Sequence, residues 1–193
     1  DILELRMKFI PYIHAAFVRY HQTGLPPFRA LVLDYPDDPA VNSISDQYMM
    51  GDNVMVAPVT ADSSRRNVYL PQGDWYDFWT KENLAGGKRI SVEVPLDRIP
   101  IYVKAGTILP LAYPTLHTED PDSWKLTAYV WGENHQEAKL YEDNGAWNPE
   151  LTEVSLVWDN RKKKGSLART GKSGKASKTG NPQYSVEKWE IIS

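Results

Sequence analysis

The sequence has no cysteine among its 193 residues. That removes disulfides and every thiolate metal site, which suits a reducing compartment but equally an exported enzyme built without bridges, so localisation stays unknown. No apolar run approaches the roughly 18 residues that a membrane-crossing helix requires, and no membrane partner is expected. Histidine is scarce: His14, His21, His117 and His135 are the only four. Without cysteine the familiar zinc patterns are missing. His14 and His21, seven residues apart on a helix, lie about 10 Å apart along its axis, too far to share an ion; both read as surface or partly buried side chains. The opening DILELRMKFIPY has neither an initiator methionine nor the charged, apolar and small-residue parts of a signal peptide. The chain is expected to begin inside a longer protein. Acid is also absent from residues 161–178, which hold eight Lys and Arg; against a net charge of −3, the remainder therefore carries −11.

What is present organises into two small β units. Ile2, Leu5, Phe9, Tyr12, Ile13, Ala16, Phe17 and Tyr20 recur at spacings of three and four, predicting one amphipathic helix that ends at Gly24 before Pro26 and Pro27. Pro11 within it should bend or divide it. Those side chains represent roughly 10 kcal/mol of burial, available only if the face packs on the β units or on something N-terminal. From Phe28 the period changes. FRALVLDYP reads as β-rich, DDPAVNSIS as a loop, and NVMVAPV, NVYLP, WYDFWT, RISVEVP, PIYVKAG and TILPL follow as short strands at intervals of about 8 to 12 residues, the spacing of an antiparallel sandwich. The stretch LPQGDWYDFWT, with Trp75, Tyr76, Phe78 and Trp79 behind a Pro-x-Gly turn, is the densest core candidate. AYPTLHTEDPDS reads as a linker. A second β unit follows with KLTAYVWG, EAKLYED, TEVSLVWD and YSVEKWEII, with an Asn-Gly turn in EDNGAW and a basic, flexible loop at about 160–182.

Chemistry-bearing motifs are few. GSLARTGKS resembles a phosphate loop, but Gly165 and Gly171 enclose five residues instead of four, without a strand before and a helix after. The basic run lacks interleaved aromatics to stack on bases, so no nucleic-acid partner is expected. Carboxylates remain: Asp34, Asp37 and Asp38 in LDYPDDP, and Glu142 and Asp143 in YEDNG, a loop that could offer oxygens to a calcium ion but lacks a regular ligand series. Both groups sit at turns, where Asp bonds its own backbone. A glycosidase needs two facing carboxyl groups, which spacing in the sequence does not reveal.

Taken together, LRMKFIPYIHAAF, FRALVLDYPDD, DQYMMGDNVMVAPV, VYLPQGDWYDFWT, GGKRISVEVPLDRIPIYVKAGTILPL and LYEDNG resemble the C-terminal part of glycoside hydrolase family 31, the family of α-glucosidases and α-xylosidases, over about residues 1–145. The resemblance implies a mainly β fold. Residues 1–24 would be the last helix of a (β/α)8 barrel, 25–111 a proximal and 112–193 a distal antiparallel β-sandwich. It implies a retaining mechanism whose two aspartates lie on barrel strands; no segment here matches either motif, and Asp34, Asp46 and Asp97 fall on non-catalytic positions of the family pattern. No catalytic residue, cofactor or metal is therefore assigned, and the expected partners are the barrel and the α-glycoside it binds. The rival readings are a carbohydrate-binding module using Trp124, Trp131 or Trp147, with core burial as the alternative for these rings, and a purely structural or interaction domain.

Overall fold

In a computed structural model the described residues are mainly β, with one α-helix. The structure describes residues 2–59, 64–117, 120–133, 136–143, 150–170 and 184–193. They form two compact units, one of residues 19–105 and one of residues 3–18 with 106–192.

Helix α1 (Ile2–Thr23) runs unbroken through Pro11, which is buried with Phe9 and Val18. It is not divided there. Its amphipathic face is only partly covered: Ile2 is 56% and Tyr20 48% exposed. The helix ends as its sequence specifies, with Gly24 at φ +78° donating its N–H to the Tyr20 carbonyl at 2.8 Å. Among the described residues no helix is long and apolar enough to cross a membrane.

The first unit contains β1 (Phe28–Ala30), β2 (Tyr48–Met50), β3 (Val54–Val56), β4 (Arg65–Leu70), β5 (Asp74–Asp77), β6 (Asn83–Ala85), β7 (Lys88–Glu93) and β8 (Ile101–Lys104). Six of them form a sheet in the order β1-β2-β3-β8-β5-β6, and β4 pairs with β7 in a second. Val68 and Leu70 from the second sheet meet Met49, Met55, Trp75 and Tyr102 from the first in one core. FRALVLDYP is strand only over its first three residues. Leu31–Leu33 then winds into a 3-10 turn, which buries Leu31 and brings Asp34 back toward Arg29. In LPQGDWYDFWT, Trp75, Tyr76 and Phe78 are buried as the aromatic content predicts. The Trp75 indole N–H donates to the Pro71 carbonyl at 2.8 Å, tying the ring to the turn that precedes it. Across that turn a Cβ on Gly86 would lie 1.9 Å from the Pro71 carbonyl oxygen, so only glycine lets the two backbones approach.

The second unit contains β9 (Thr107–Ala112), β10 (Lys125–Trp131), β11 (Gln136–Glu142), β12 (Thr152–Asp159), β13 (Lys164–Thr170) and β14 (Ser185–Ile192). Its sheets have the orders β14-β10-β9 and β11-β12-β13. Alternate residues of β12 are buried, so Val154, Leu156 and Trp158 join Leu126, Val130 and Leu140 in a shared core against which Ala15 of α1 packs. One pairing departs from the antiparallel expectation: β14 lies parallel to β10, Lys125 opposite Ser185 and Trp131 opposite Ile192. Parallel neighbours need a long return path, and three strands in the other sheet supply it.

The expected flexible loop at 160–182 is corrected in its first half. Lys164–Thr170 is a full strand paired with β12 from Asp159 to Glu153. Composition misleads here because the strand is held by particular contacts. The Arg161 and Lys162 N–H groups donate to Asp159 Oδ1 at 3.0 and 3.1 Å and set the turn. Gly165 lies where any Cβ would meet the Trp189 ring at 2.0 Å, and Leu167 packs on the core. The rest of that expectation, and the Asn-Gly turn of EDNGAW, fall outside the described residues.

Candidate functional site

Of the turn acids singled out in the sequence, Asp34, Asp38, Glu142 and Asp143 each have a partner. Arg29 is the inward-facing middle residue of β1, its side chain 2% exposed. Its Nε and Nη2 donate to the two oxygens of Asp34, both at 2.7 Å, and Nη1 donates to the Pro26 carbonyl at 3.1 Å. Such two-pronged charge-assisted pairing fixes both groups in one plane. Nη2 also donates to Asp52 at 3.1 Å, and Asp52 pairs in turn with Arg19. Two carboxylates and two guanidiniums therefore alternate around the start of the first unit.

Close by, burial raises the pKa of the Tyr35 hydroxyl above its ordinary range, and that oxygen has no hydrogen-bond partner among the described residues. The Lys104 ammonium sits 4.9 Å from the Tyr35 ring centre and 5.8 Å from that of Trp75. Burial, the main cause, lowers its pKa from the ordinary lysine value.

Asp38 caps the 3-10 turn Pro39–Val41, accepting from the Ala40 N–H at 3.0 Å, and its other oxygen accepts from the Tyr69 hydroxyl at 2.6 Å. That bond raises the Tyr69 pKa. Asp46 accepts from Arg66 at 2.7 Å, which is the main reason its pKa is lowered. Asp37 and Asp97 are exposed.

In the second unit Glu142 is 1% exposed. It accepts from Arg169 Nε at 3.1 Å and Nη2 at 3.0 Å, and from the Tyr184 N–H at 2.7 Å. A cation at YEDNG would compete with this guanidinium for the same oxygens. Asp143 lies 3.4 Å from His14, and among the described residues no three metal-ligating side chains converge. His21 and His117 are exposed. Trp131 is fully buried; Trp124, partly buried, packs against Tyr184 with ring centres 5.1 Å apart. Neither presents a free flat ring. Trp147 and His135 lie outside the described residues.

A carboxylate that delivers a proton near neutral pH needs a raised pKa. Asp34, Asp38 and Glu142 have oxygens committed to donors, and Asp46 is shifted the opposite way. Their contacts tie turns and strand ends together. Sequence reading found the acids but missed their partners Arg29, Arg66 and Arg169. For Arg29 a signal exists, an arginine inside an apolar β pattern, since a buried cation requires a partner.

Residues 24–109 match the glycosyl hydrolase family 31 C-terminal domain. Alpha-glucosidase 2 of Bacillus thermoamyloliquefaciens is 35% identical over 146 residues, 74% of this chain and 18% of that protein. An alpha-xylosidase of Saccharolobus solfataricus is 32% identical over 173 residues, 86% of this chain and 24% of that protein. The crystal structure of the GH31 alpha-xylosidase from Xanthomonas citri aligns with 98% of this chain and 21% of its own, at a TM-score of 0.82 and 30% identity. The chain thus spans about a fifth to a quarter of the length of the relatives it matches.

Proposed function

The chain belongs to glycosyl hydrolase family 31 through residues 24–109, which are a C-terminal domain of that family, and from that premise we propose that it is the non-catalytic C-terminal portion of a retaining α-glycosidase acting on terminal α-linked glucose or xylose. In this reading residues 1–24 close a (β/α)8 barrel, 25–111 form the proximal sandwich and 112–193 the distal one. The two aspartates that attack the anomeric carbon and move the proton belong to the barrel, at the C-terminal ends of its strands.

The observation that carries the reading is the match to the family's C-terminal domain in a chain whose own paired carboxylates are engaged in holding turns. Exposed apolar side chains fit a supporting role: Val32 and Leu33 beside β1 are 39% and 57% exposed, and Ile2 and Tyr20 of α1 about half. Covering them against a barrel would remove apolar area from water at roughly 25 cal/mol per Å².

The test is turnover of an aryl α-glucoside and an aryl α-xyloside by the chain alone. The expected result is none. Clear turnover that disappears in Asp34→Asn or Asp38→Asn would overturn the reading.

A further inference from the structure

We propose that the tip of the β12–β13 hairpin, Arg161 to Lys164, is a binding site for a carboxylated polysaccharide. Four successive cationic side chains are exposed there. The backbone beneath them is fixed by Asp159, whose carboxylate accepts the Arg161 and Lys162 N–H groups, and Lys163 takes a left-handed φ of 48° to close the turn.

Little neutralises this tip. Asp159 lies 3.6 Å from Lys162, and Lys163 donates to the neutral Asn160 side chain at 2.7 Å. Among the described residues Arg161 and Lys164 form no ion pair with a carboxylate. Along the sequence no acid follows until Glu187, while Lys172, Lys175 and Lys178 extend the basic run.

The composition around the tip narrows the class of polyanion. From Asp159 to Gln183 there is no aromatic residue, so no ring is available to stack on unpaired bases. The one large apolar side chain in that stretch, Leu167, packs on the core instead of standing ready to enter lipid. Outside residues 161–178 the chain carries −11, which opposes duplex DNA with its charge every ~1.7 Å more than it opposes a sparsely charged polymer. A chain read by charge alone, and at lower density than DNA, is what this tip fits. The choice of a sugar polymer rests on the α-glycosidase reading; the cationic tip does not. Such a site would retain a polymeric glycan beside the protein without touching the scissile bond.

The test is binding of the full chain to immobilised polygalacturonate, with neutral dextran, duplex DNA and phosphatidylserine vesicles in parallel. Binding to polygalacturonate is expected, weakening tenfold or more between roughly 50 and 200 mM salt, with none to dextran. The triple variant Lys162→Gln, Lys163→Asn, Lys164→Gln should lose at least about tenfold in affinity, since the salt slope scales with the number of charges engaged. Asn tolerates the left-handed turn position, and an unchanged near-ultraviolet spectrum of the buried tryptophans confirms the fold. No binding at low salt, or equal binding by the variant, overturns the proposal. DNA or vesicles bound as tightly as polygalacturonate overturn it in favour of those partners. The assay involves no turnover, so its failure leaves the α-glycosidase reading to its own test.

Discussion

At the scale of single residues, Asp34, Asp46 and Glu142 are each paired with an arginine, and the consequence is measurable. Removing one partner of a buried ion pair leaves the other charged in a medium that solvates it poorly. Asp34→Ala strands the Arg29 guanidinium, with only Asp52 and the Pro26 carbonyl left. A loss of about 3–5 kcal/mol is expected in urea unfolding, whereas Arg29→Met with Asp34→Leu should cost clearly less. Equal losses would mean that the pair is not the cause. Asp46 gives a pH-dependent counterpart. Its folded pKa is lowered, chiefly by the Arg66 hydrogen bond. The stability it contributes is therefore complete above the ordinary aspartate pKa and is lost as pH falls through the lowered folded value. Thermal melts in acid should show a decline that Asp46→Asn makes shallower; an unchanged slope would count against the assignment. These acids were legible as turn formers from Asp-rich punctuation alone. Of their basic partners, Arg66 and Arg169 were not, because they lie 20 positions from Asp46 and 27 from Glu142. Only the topology brings them together.

At the scale of elements, alternation and turn residues carried most of the strands. β12 reads from the sequence because every second residue of TEVSLVWD is apolar, and that face is buried. β13 does not, since KGSLART offers one large apolar residue and its place depends on a glycine under Trp189 and an arginine held by Glu142. Gly165→Ala should therefore destabilise the second unit by roughly 1–3 kcal/mol through overpacking. An added Cβ would lie 2.0 Å from the Trp189 ring, which already stacks near Trp158 with centres 5.8 Å apart. Quenched or shifted tryptophan fluorescence together with an earlier melt would support this account; a neutral substitution would show that Trp189 moves aside freely. The parallel β10–β14 pair was equally invisible. A strand's direction depends on the path of all the chain before it, which local periodicity does not encode.

At the scale of the whole molecule, the family was legible where individual pairings were not. The order of LDYPDD, MGDNVMVAPV, LPQGDWYDFWT and the proline-cut run to Leu111 resembles the family across residues 33–111, almost all of them inside the matched domain at 24–109. Those stretches supply core and turns: Trp75, Met49, Met55 and Leu70 are each at most 1% exposed. They carry the likeness to the family, and no spacing within them encodes the cleft that a glycosidase requires. We propose that the nucleophile of a retaining reaction lies outside these residues, a reading supported by the match of residues 24–109 to a C-terminal domain of the family. Retaining glycosidases pass through a covalent glycosyl-enzyme, so the most direct test is intact-mass analysis of the chain after incubation with a slow fluorinated α-glucosyl or α-xylosyl fluoride. The expected result is an unchanged mass. A stoichiometric glycosyl adduct mapped to any aspartate or glutamate of residues 1–193 would contradict it.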